Sequence, residues 1–458
     1  MDPEDQIVFG TDGWRDTLDT FTEPRVRIVA QAIATQIETG TVAVGYDARD
    51  GSRDFADAVA DVLTDNGIDV IVSERDCPTP VLAWTITDRD LDGGVMITAS
   101  HNPPEYNGIK FLPPDGAPAL PSVTDELSDQ LADPTAVAVS ERGDRHDDTF
   151  TTAYGQHAFA FVDSHLDLEG TTIAYDAMYG SGRGVTDALL AETGAAVDRL
   201  RCERDPTFGG TPPEPSADRL ESLTERVTAG PASLGIANDG DADRIAVITP
   251  DRGYLDPNLY YAVLYEYLLE TSSGPAVRTV STTHLIDRIG AAHGERVIET
   301  PVGFKWVADA MAEHDAIIGG EESGGFGLTP HLRNKDGVLL ALLTAAAHAE
   351  RPLDDRADDI TETYGEIHQD RLSVACPDDR KSGVLSELEN VIPDRVAGTA
   401  VESIGTSDGF KINLEDGSWL LVRPSGTEPK LRVYAEADSD ARVNELLVAG
   451  EDLTEPLV

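Results

Sequence analysis

Lysine is nearly missing from this chain: only six of its 35 basic residues are lysines, against 84 aspartates and glutamates. No run of eighteen apolar residues occurs, so no membrane-spanning helix is predicted. The N-terminus, Met1-Asp2-Pro3-Glu4-Asp5, is acidic where a secretory leader is basic, which predicts a cytoplasmic protein. Cysteine is scarce too. Cys77, Cys202 and Cys376 are far apart, odd in number and outside any CxxC spacing, which argues against disulfides and a zinc cluster. Neither a G-x-x-x-x-G-K-[ST] phosphate loop nor a G-x-S-x-G nucleophile elbow occurs. Gly180-Ser181-Gly182-Arg183-Gly184 begins like a dinucleotide loop, but the third glycine of G-x-G-x-x-G falls on Val185. It reads as a strand-to-helix turn.

What is present is length, apolar content and acid. At 458 residues and 40% hydrophobic content the chain can build real cores in three or four domains. A net charge of −49 repels nucleic acid and the chain itself in dilute buffer. In molar salt the Debye length shrinks to about 3 Å and that repulsion is screened. The acids are spread through helical stretches and loops, a pattern that resembles proteins of salt-accumulating halophilic archaea. Four of the six lysines, Lys110, Lys305, Lys335 and Lys430, fall inside candidate motifs, which suggests a role for the ammonium group.

Read coarsely, strands and helices alternate. Residues 41–46, 70–73 and 94–98 predict strands, with an amphipathic helix over 55–66. The rhythm returns at 171–175, 185–193 and 233–237, and again at 277–280, 284–293 and 316–318. Strands separated by ten or more helical residues predict βαβ units and parallel sheets. From about residue 371 the pattern predicts shorter strands (419–422, 431–435) and a closing helix, a smaller α+β domain. Three α/β units of similar length suggest a triplication, although no residue-level repeat is clear. Pro/Gly-rich or acidic breaks place the domains at 1–148, 149–252, 253–367 and 368–458.

Four short motifs carry chemistry. Asp239-Gly240-Asp241-Ala242-Asp243 puts three carboxylates at alternate positions between two apolar runs. Acids so close repel one another, and a hard divalent cation resolves the conflict. An acidic turn is the competing reading, while an EF-hand is excluded by Arg244 and Pro250 at its required Gly and Glu places. Thr98-Ala99-Ser100-His101-Asn102-Pro103 follows an apolar strand and makes Ser100 a candidate nucleophile, or a Ser/Asn turn. Gly319-Gly320-Glu321-Glu322-Ser323-Gly324-Gly325 lets backbone approach a ligand and offers an acid and a hydroxyl for vicinal sugar hydroxyls. Arg423-Pro424-Ser425-Gly426-Thr427-Glu428-Pro429-Lys430 offers a guanidinium fork, hydroxyls and exposed amides, a good phosphate cradle.

Taken in order, these motifs resemble the α-D-phosphohexomutase family, which includes phosphoglucomutase and phosphomannomutase. The resemblance runs from Phe9-Gly10-Thr11-Asp12-Gly13-Trp14-Arg15 through residues 98–103, 107–110, 239–244, Gly303-Phe304-Lys305 and 320–325 to 423–430. It implies an α/β fold of four domains around a central cleft: three related mixed-sheet domains and a smaller C-terminal α+β domain. It also implies that Ser100 carries a transferable phosphoryl group and that Asp239, Asp241 and Asp243 bind Mg²⁺, with the phosphoserine adding an oxygen. Arg15, His101, Lys110 and Arg244 would surround that phosphate, and Lys110 and His331 are the candidates for proton transfer. Glu321 and Ser323 would hold sugar hydroxyls. Arg423, Ser425, Gly426 and Thr427, with Lys305 and Arg432, would hold the distal phosphate.

The implied reaction interconverts hexose 1- and 6-phosphates through a hexose 1,6-bisphosphate, which would also act as activator. Small sugar phosphates are the expected partners, with no nucleic acid or membrane, and the protein is expected to be a monomer or homodimer. Glu322 and Gly325 look like glucose-preferring members, since mannose and glucosamine members more often carry Met or Gln and then His there. Glucose phosphates are expected first, mannose phosphates second, with phosphoglucosamine mutation as the alternative. A phosphatase would not need the distal cradle, and a sugar-phosphate sensor would have lost Ser100 or an aspartate.

Overall fold

The computed structural model describes residues 6–10, 13–163, 166–426 and 428–458. Its first sheet has six described strands, in the order Trp14–Thr17, Tyr106–Leu112, Gly93–Ile97, Thr41–Tyr46, Asp69–Ser73 and Arg145–Asp148. The second has five, in the order Gly253–Tyr254, Ile245–Thr249, Leu234–Asn238, Thr172–Asp176 and Ala196–Leu200. The third has four: Val297–Thr300, Ala276–Thr279, Ile318–Gly320 and Phe326–Leu328. The helices Ser52–Asp65, Thr186–Glu192 and Leu285–His293 sit between strands as the periodicity predicts.

The sheets are not purely parallel, and the departures locate the site. In each α/β unit a strand paired in parallel on one side turns back into an antiparallel neighbour: Gly93–Ile97 into Tyr106–Leu112, Leu234–Asn238 into Ile245–Thr249, and Ile318–Gly320 into Phe326–Leu328. Each returning turn is one of the motifs. The structural repeat is thus in the topology, where no residue repeat marks it.

The fourth sheet is antiparallel throughout, in the order His368–Ala375, Lys430–Ala437, Trp419–Pro424, Phe410–Leu414, Thr399–Gly405 and Arg395–Val396. Its strands correct the expectation of short ones: His368–Ala375 and Lys430–Ala437 have eight residues each. In His368–Ala375 sparse apolar residues hid the length, because nearly all of its residues are exposed or half-buried, and in Lys430–Ala437 the charged Lys430 and Glu436 bound the apolar run. Its turn between Trp419–Pro424 and Lys430–Ala437 is the fourth motif.

One continuous apolar cluster runs through the three α/β units, joining Trp84, Tyr154, Tyr175, Tyr261 and Leu340. At its centre lies helix Gly337–Glu350, buried on nearly every side and N-capped by Asp336, whose carboxylate accepts from Val338 N and Leu339 N. A helix apolar all round is stable only in such an interior. The C-terminal unit has a separate core, including Val384, Leu388, Ile412 and Val433. Three units are fused and the fourth is attached.

Candidate active site

The four turns converge on one cleft of about 590 Å³. Ser100 follows a buried strand and adopts φ +50°, a left-handed conformation that side chains disfavour. Arg49 holds it there. Its guanidinium donates to the carbonyls of Ser100 (2.6 Å), Asn102 (2.6 Å), Pro103 (2.7 Å) and Tyr106 (3.1 Å). Asp47 holds Arg49 Nε at 3.0 Å and accepts from Thr98 Oγ1 at 2.7 Å. Carbonyl clamps leave no motif in sequence, and Arg49 was not among the sequence candidates.

Ser100 Oγ donates to Asp239 Oδ2 at 2.8 Å, so nucleophile and acidic triplet share one floor. Gly240 permits the approach, since a Cβ there would lie 2.5 Å from the Ser100 carbonyl oxygen. The Gly180–Gly184 segment is a turn as expected, and it braces the triplet from behind: Ser181 Oγ donates to Gly240 O at 2.9 Å. Ala242 is also left-handed, at φ +54°.

Asp239, Asp241 and Asp243 are buried, and their ligand oxygens all lie within 4.8 Å of one another. Burial, and then repulsion from Asp241 and Asp243, holds the Asp239 carboxyl well above its usual range. Asp241 goes the other way: burial opposes its charge, but Lys110, Lys335 and the Thr79 hydroxyl together lower it. Lys110 Nζ lies 3.0 Å from Asp241 Oδ2 and 3.6 Å from Asp243 Oδ2, and Lys335 Nζ lies 2.7 Å from Asp243 Oδ2. Asp241 Oδ1 and Asp243 Oδ1 are buried without a hydrogen-bond partner. Three buried carboxylates, two of them with undonated oxygens, form an all-oxygen set that fits a hard divalent cation.

Around this floor stand Arg15, His101 and Arg244. Arg15 Nη1 reaches Asn102 Oδ1 at 3.4 Å, and His101 Nδ1 lies 3.3 Å from Ser100 Oγ. The Arg244 charge, then burial and Arg15, pushes His101 well below its ordinary value, so it stands as a neutral imidazole. Asp239 and Asp243 raise Arg244 against its burial. A bridge between Arg244 and Gly325 ties the acidic turn to the glycine-rich turn.

Farther along the cleft, Glu321 accepts from Gly303 N at 3.1 Å, and burial raises its carboxyl to about 7. Ser323 and Lys305 line the same wall. Opposite lie Arg423, Ser425, Gly426 and Arg432 from the C-terminal unit. Lys381 shapes their turn by donating to the carbonyls of Ser425 (2.6 Å) and Glu428 (2.7 Å). Thr427 lies outside the described residues.

His331 requires a correction. Its side chain is 0% exposed, Nε2 faces Asp336 Oδ2 at 2.7 Å, and Nδ1 faces His157 Nε2 at 2.8 Å. Both ring nitrogens are engaged in a packed group with Tyr154 and Phe161, behind the cleft wall. It cannot exchange protons with a ligand there. The nearby residue that does enter the site is Lys335, four positions on, whose Cδ lies 2.5 Å from where a Cβ on Gly325 would stand. The scarcity of lysine in the chain was the available signal.

Comparison with known proteins matches four family models along the chain. They are the phosphoglucomutase/phosphomannomutase alpha/beta/alpha domain I at residues 6–137, domain II at 149–253, domain III at 256–364 and the C-terminal domain at 372–452. The "Probable phosphoglucosamine mutase" of Methanopyrus kandleri is 36% identical over 446 residues, covering 96% of this chain and 95% of that one. The phosphoglucomutase/phosphomannomutase of Thermococcus kodakarensis is 31% identical over 465 residues, covering 98% of both. The structure of a provisionally named phosphomannomutase from Thermus thermophilus superposes with TM-score 0.85 at 31% identity, covering 98% of this chain and 99% of that one.

Proposed function

The chain belongs to the phosphoglucomutase/phosphomannomutase family, and from that premise we propose that it interconverts hexose 1-phosphates and hexose 6-phosphates through a phosphorylated Ser100. The observation that supports this best is the pairing of two anion sites in one cleft. Ser100 against the buried aspartates lies at one end, and the Arg423–Arg432 cradle at the other. A phosphatase needs only the first.

Ser100 Oγ gives up its phosphoryl group to the free hydroxyl of the sugar monophosphate, so the Oγ–P bond breaks as the sugar O–P bond forms. Lys110 is the candidate that takes up the hydroxyl proton and returns it in the second half. Arg15 and Arg244 stabilise the charge on the moving group, while neutral His101 offers a hydrogen bond. Asp239, Asp241 and Asp243, with a phosphoserine oxygen, would hold Mg²⁺, which supplies Lewis-acid polarisation of the phosphoryl oxygens. Glu321 and Ser323 grip ring hydroxyls, and Arg423, Ser425, Gly426 and Thr427, with Lys305 and Arg432, hold the distal phosphate. The hexose 1,6-bisphosphate then turns round within the cleft and returns its other phosphate to Ser100. Exclusion of water protects the phosphoserine from hydrolysis.

Glu322 and Gly325 favour glucose phosphates, with mannose phosphates as a second activity. The Methanopyrus relative's name supports phosphoglucosamine mutation as the alternative. We divide the chain at 1–148, 149–252, 253–367 and 368–458, and expect a cytoplasmic monomer or homodimer, activated by hexose 1,6-bisphosphate. The test is a coupled assay in molar KCl with glucose, mannose and glucosamine 1-phosphates, run beside Ser100→Ala. Turnover should fall by several orders of magnitude in the variant, and intact mass should show one phosphate on part of the wild type and none on the variant. Near-wild-type activity in Ser100→Ala, or release of inorganic phosphate instead of isomerisation, would overturn the reading.

A further inference from the structure

The C-terminal unit meets the third unit across a narrow apolar patch, Val280 against Trp419, Leu421 and Tyr434. The contacts around it are polar. Away from the cleft, Lys411 Nζ lies 2.7 Å from Glu299 Oε2 and Glu436 Oε1 accepts from His284 N at 3.0 Å, while Gln369, which lines the cleft, donates from Nε2 to Ser281 O at 2.8 Å. At the cleft edge stands Asp408, in the turn between strands Thr399–Gly405 and Phe410–Leu414. Its Oδ2 accepts from Arg423 Nε at 2.8 Å and from the backbone N of Val302, in the third unit, at 3.1 Å. The next amide, Gly303 N, donates to Glu321 Oε1 at 3.1 Å. Two consecutive amides therefore link the acid of the sugar wall to the arginine of the phosphate cradle.

A carboxylate beside a phosphate cradle opposes anion binding by its charge. Its geometry works the other way: by taking Nε it turns the Nη1/Nη2 edge of Arg423 outward, the edge that binds a phosphate bidentately. We propose that Asp408 is a positioning residue for the phosphomutase reaction. It aims Arg423 at the distal phosphate and fastens the C-terminal unit to the Val302–Gly303 amides, so that the cleft retains the bisphosphate while it reorients. The inference rests on the phosphohexomutase reading above.

The test uses the full-length protein in molar KCl with Asp408→Asn, which is nearly isosteric, and Asp408→Glu, which keeps the charge but misplaces it. Both should raise KM for glucose 1-phosphate on the order of tenfold, the loss of one charge-assisted hydrogen bond, with kcat changed less. Both should release several times more hexose bisphosphate per turnover, so that activity comes to depend on added bisphosphate. On an Arg423→Ala background Asp408→Asn should add nothing to KM. A lower KM in Asp408→Asn would show that the carboxylate only repels phosphate. Wild-type behaviour of Asp408→Glu, or full additivity with Arg423→Ala, would also overturn the proposal. Should the wild type lack mutase activity, the earlier reading fails, while calorimetric binding of glucose 1-phosphate to the wild type and Asp408→Asn still decides whether Asp408 positions Arg423.

Discussion

Replacing Asp241 by Asn separates a cation site from an acidic turn, because the two oxygens of this carboxylate have different surroundings. Oδ2 accepts from Thr79 Oγ1 at 2.7 Å and pairs with Lys110 at 3.0 Å, whereas Oδ1 has no donor. The amide oxygen keeps the Thr79 and Lys110 side, which turns the new NH₂ toward Asp239 and Asp243. Breaking a buried ion pair costs about 3–5 kcal/mol. Relief of repulsion within the triplet offsets part of that, leaving a net loss of roughly 2 kcal/mol without metal. In the wild type, Mg²⁺ at about 100 times its Kd adds about 2.7 kcal/mol. The variant has a donor where the cation needs an oxygen and should gain nothing. The gap between the two proteins should therefore widen from roughly 2 kcal/mol in EDTA to about 5 kcal/mol in saturating Mg²⁺. Thermal melts in molar KCl, with and without Mg²⁺, and calorimetric Mg²⁺ titrations measure it. An equal Mg²⁺-dependent rise in both proteins would refute the assignment, as would full activity of the wild type after EDTA dialysis.

Two further outcomes follow from charge. Burial lifts Glu321 from 4.5 to about 7, so the folded state binds this proton more tightly than the unfolded chain. Its stabilising contribution to the metal-free protein is complete below pH 4.5 and declines by roughly 3 kcal/mol on rising to about pH 7. The wild-type minus Glu321→Gln difference in melting should fall across that window and be flat above it, and a difference independent of pH would show that Glu321 titrates normally. The net charge of −49 predicts partial unfolding in dilute buffer and a melting temperature that climbs steadily into molar KCl. Identical melts in low-salt buffer and in molar KCl would show that the acidic surface is no salt adaptation.

Much of this molecule was legible where local pattern and function coincide. The strands at 41–46 and 171–175 and the helices at 55–66 and 284–293 have strong periodicity and short polar turns, and they fall within a few residues of their observed bounds. The motif turns were legible because unusual residue types crowd into a few positions. What stayed hidden depends on contacts distant in sequence. Arg49 acts on carbonyls 51 to 57 residues away, which any residue type could supply. Asp408 joins Arg423 and Val302 across a unit boundary that periodicity does not mark. The antiparallel return strand Phe326–Leu328, only 3 residues long, is too short to show a period. His331 misled because sequence places it four residues from Lys335, and only the fold shows which of the two faces the cleft and which is sealed behind Asp336.

Lysine usage carries this reasoning furthest. Lys110 reaches Asp243 from a strand of the first sheet and Lys335 from the loop before helix Gly337–Glu350, and Lys305 lies on the cleft wall. Lys381 is set between two carbonyls of the cradle turn, Lys411 is buried against Glu299, and Lys430 pairs with Glu428. Outside the cleft and the unit boundary, positive charge is arginine, as in the pairs Arg53–Asp57 and Arg351–Asp359. The physical difference is shape. A planar fork spreads its donors in a fixed plane, as Arg49 does over four carbonyls, whereas a compact ammonium on a flexible stem fits a narrower space. Lys335 shows the limit most clearly, since its stem already fills the space beside Gly325. A guanidinium there would have to displace the glycine-rich turn or withdraw from Asp243, so at position 335 the space admits an ammonium and not the guanidinium that carries positive charge at most other positions.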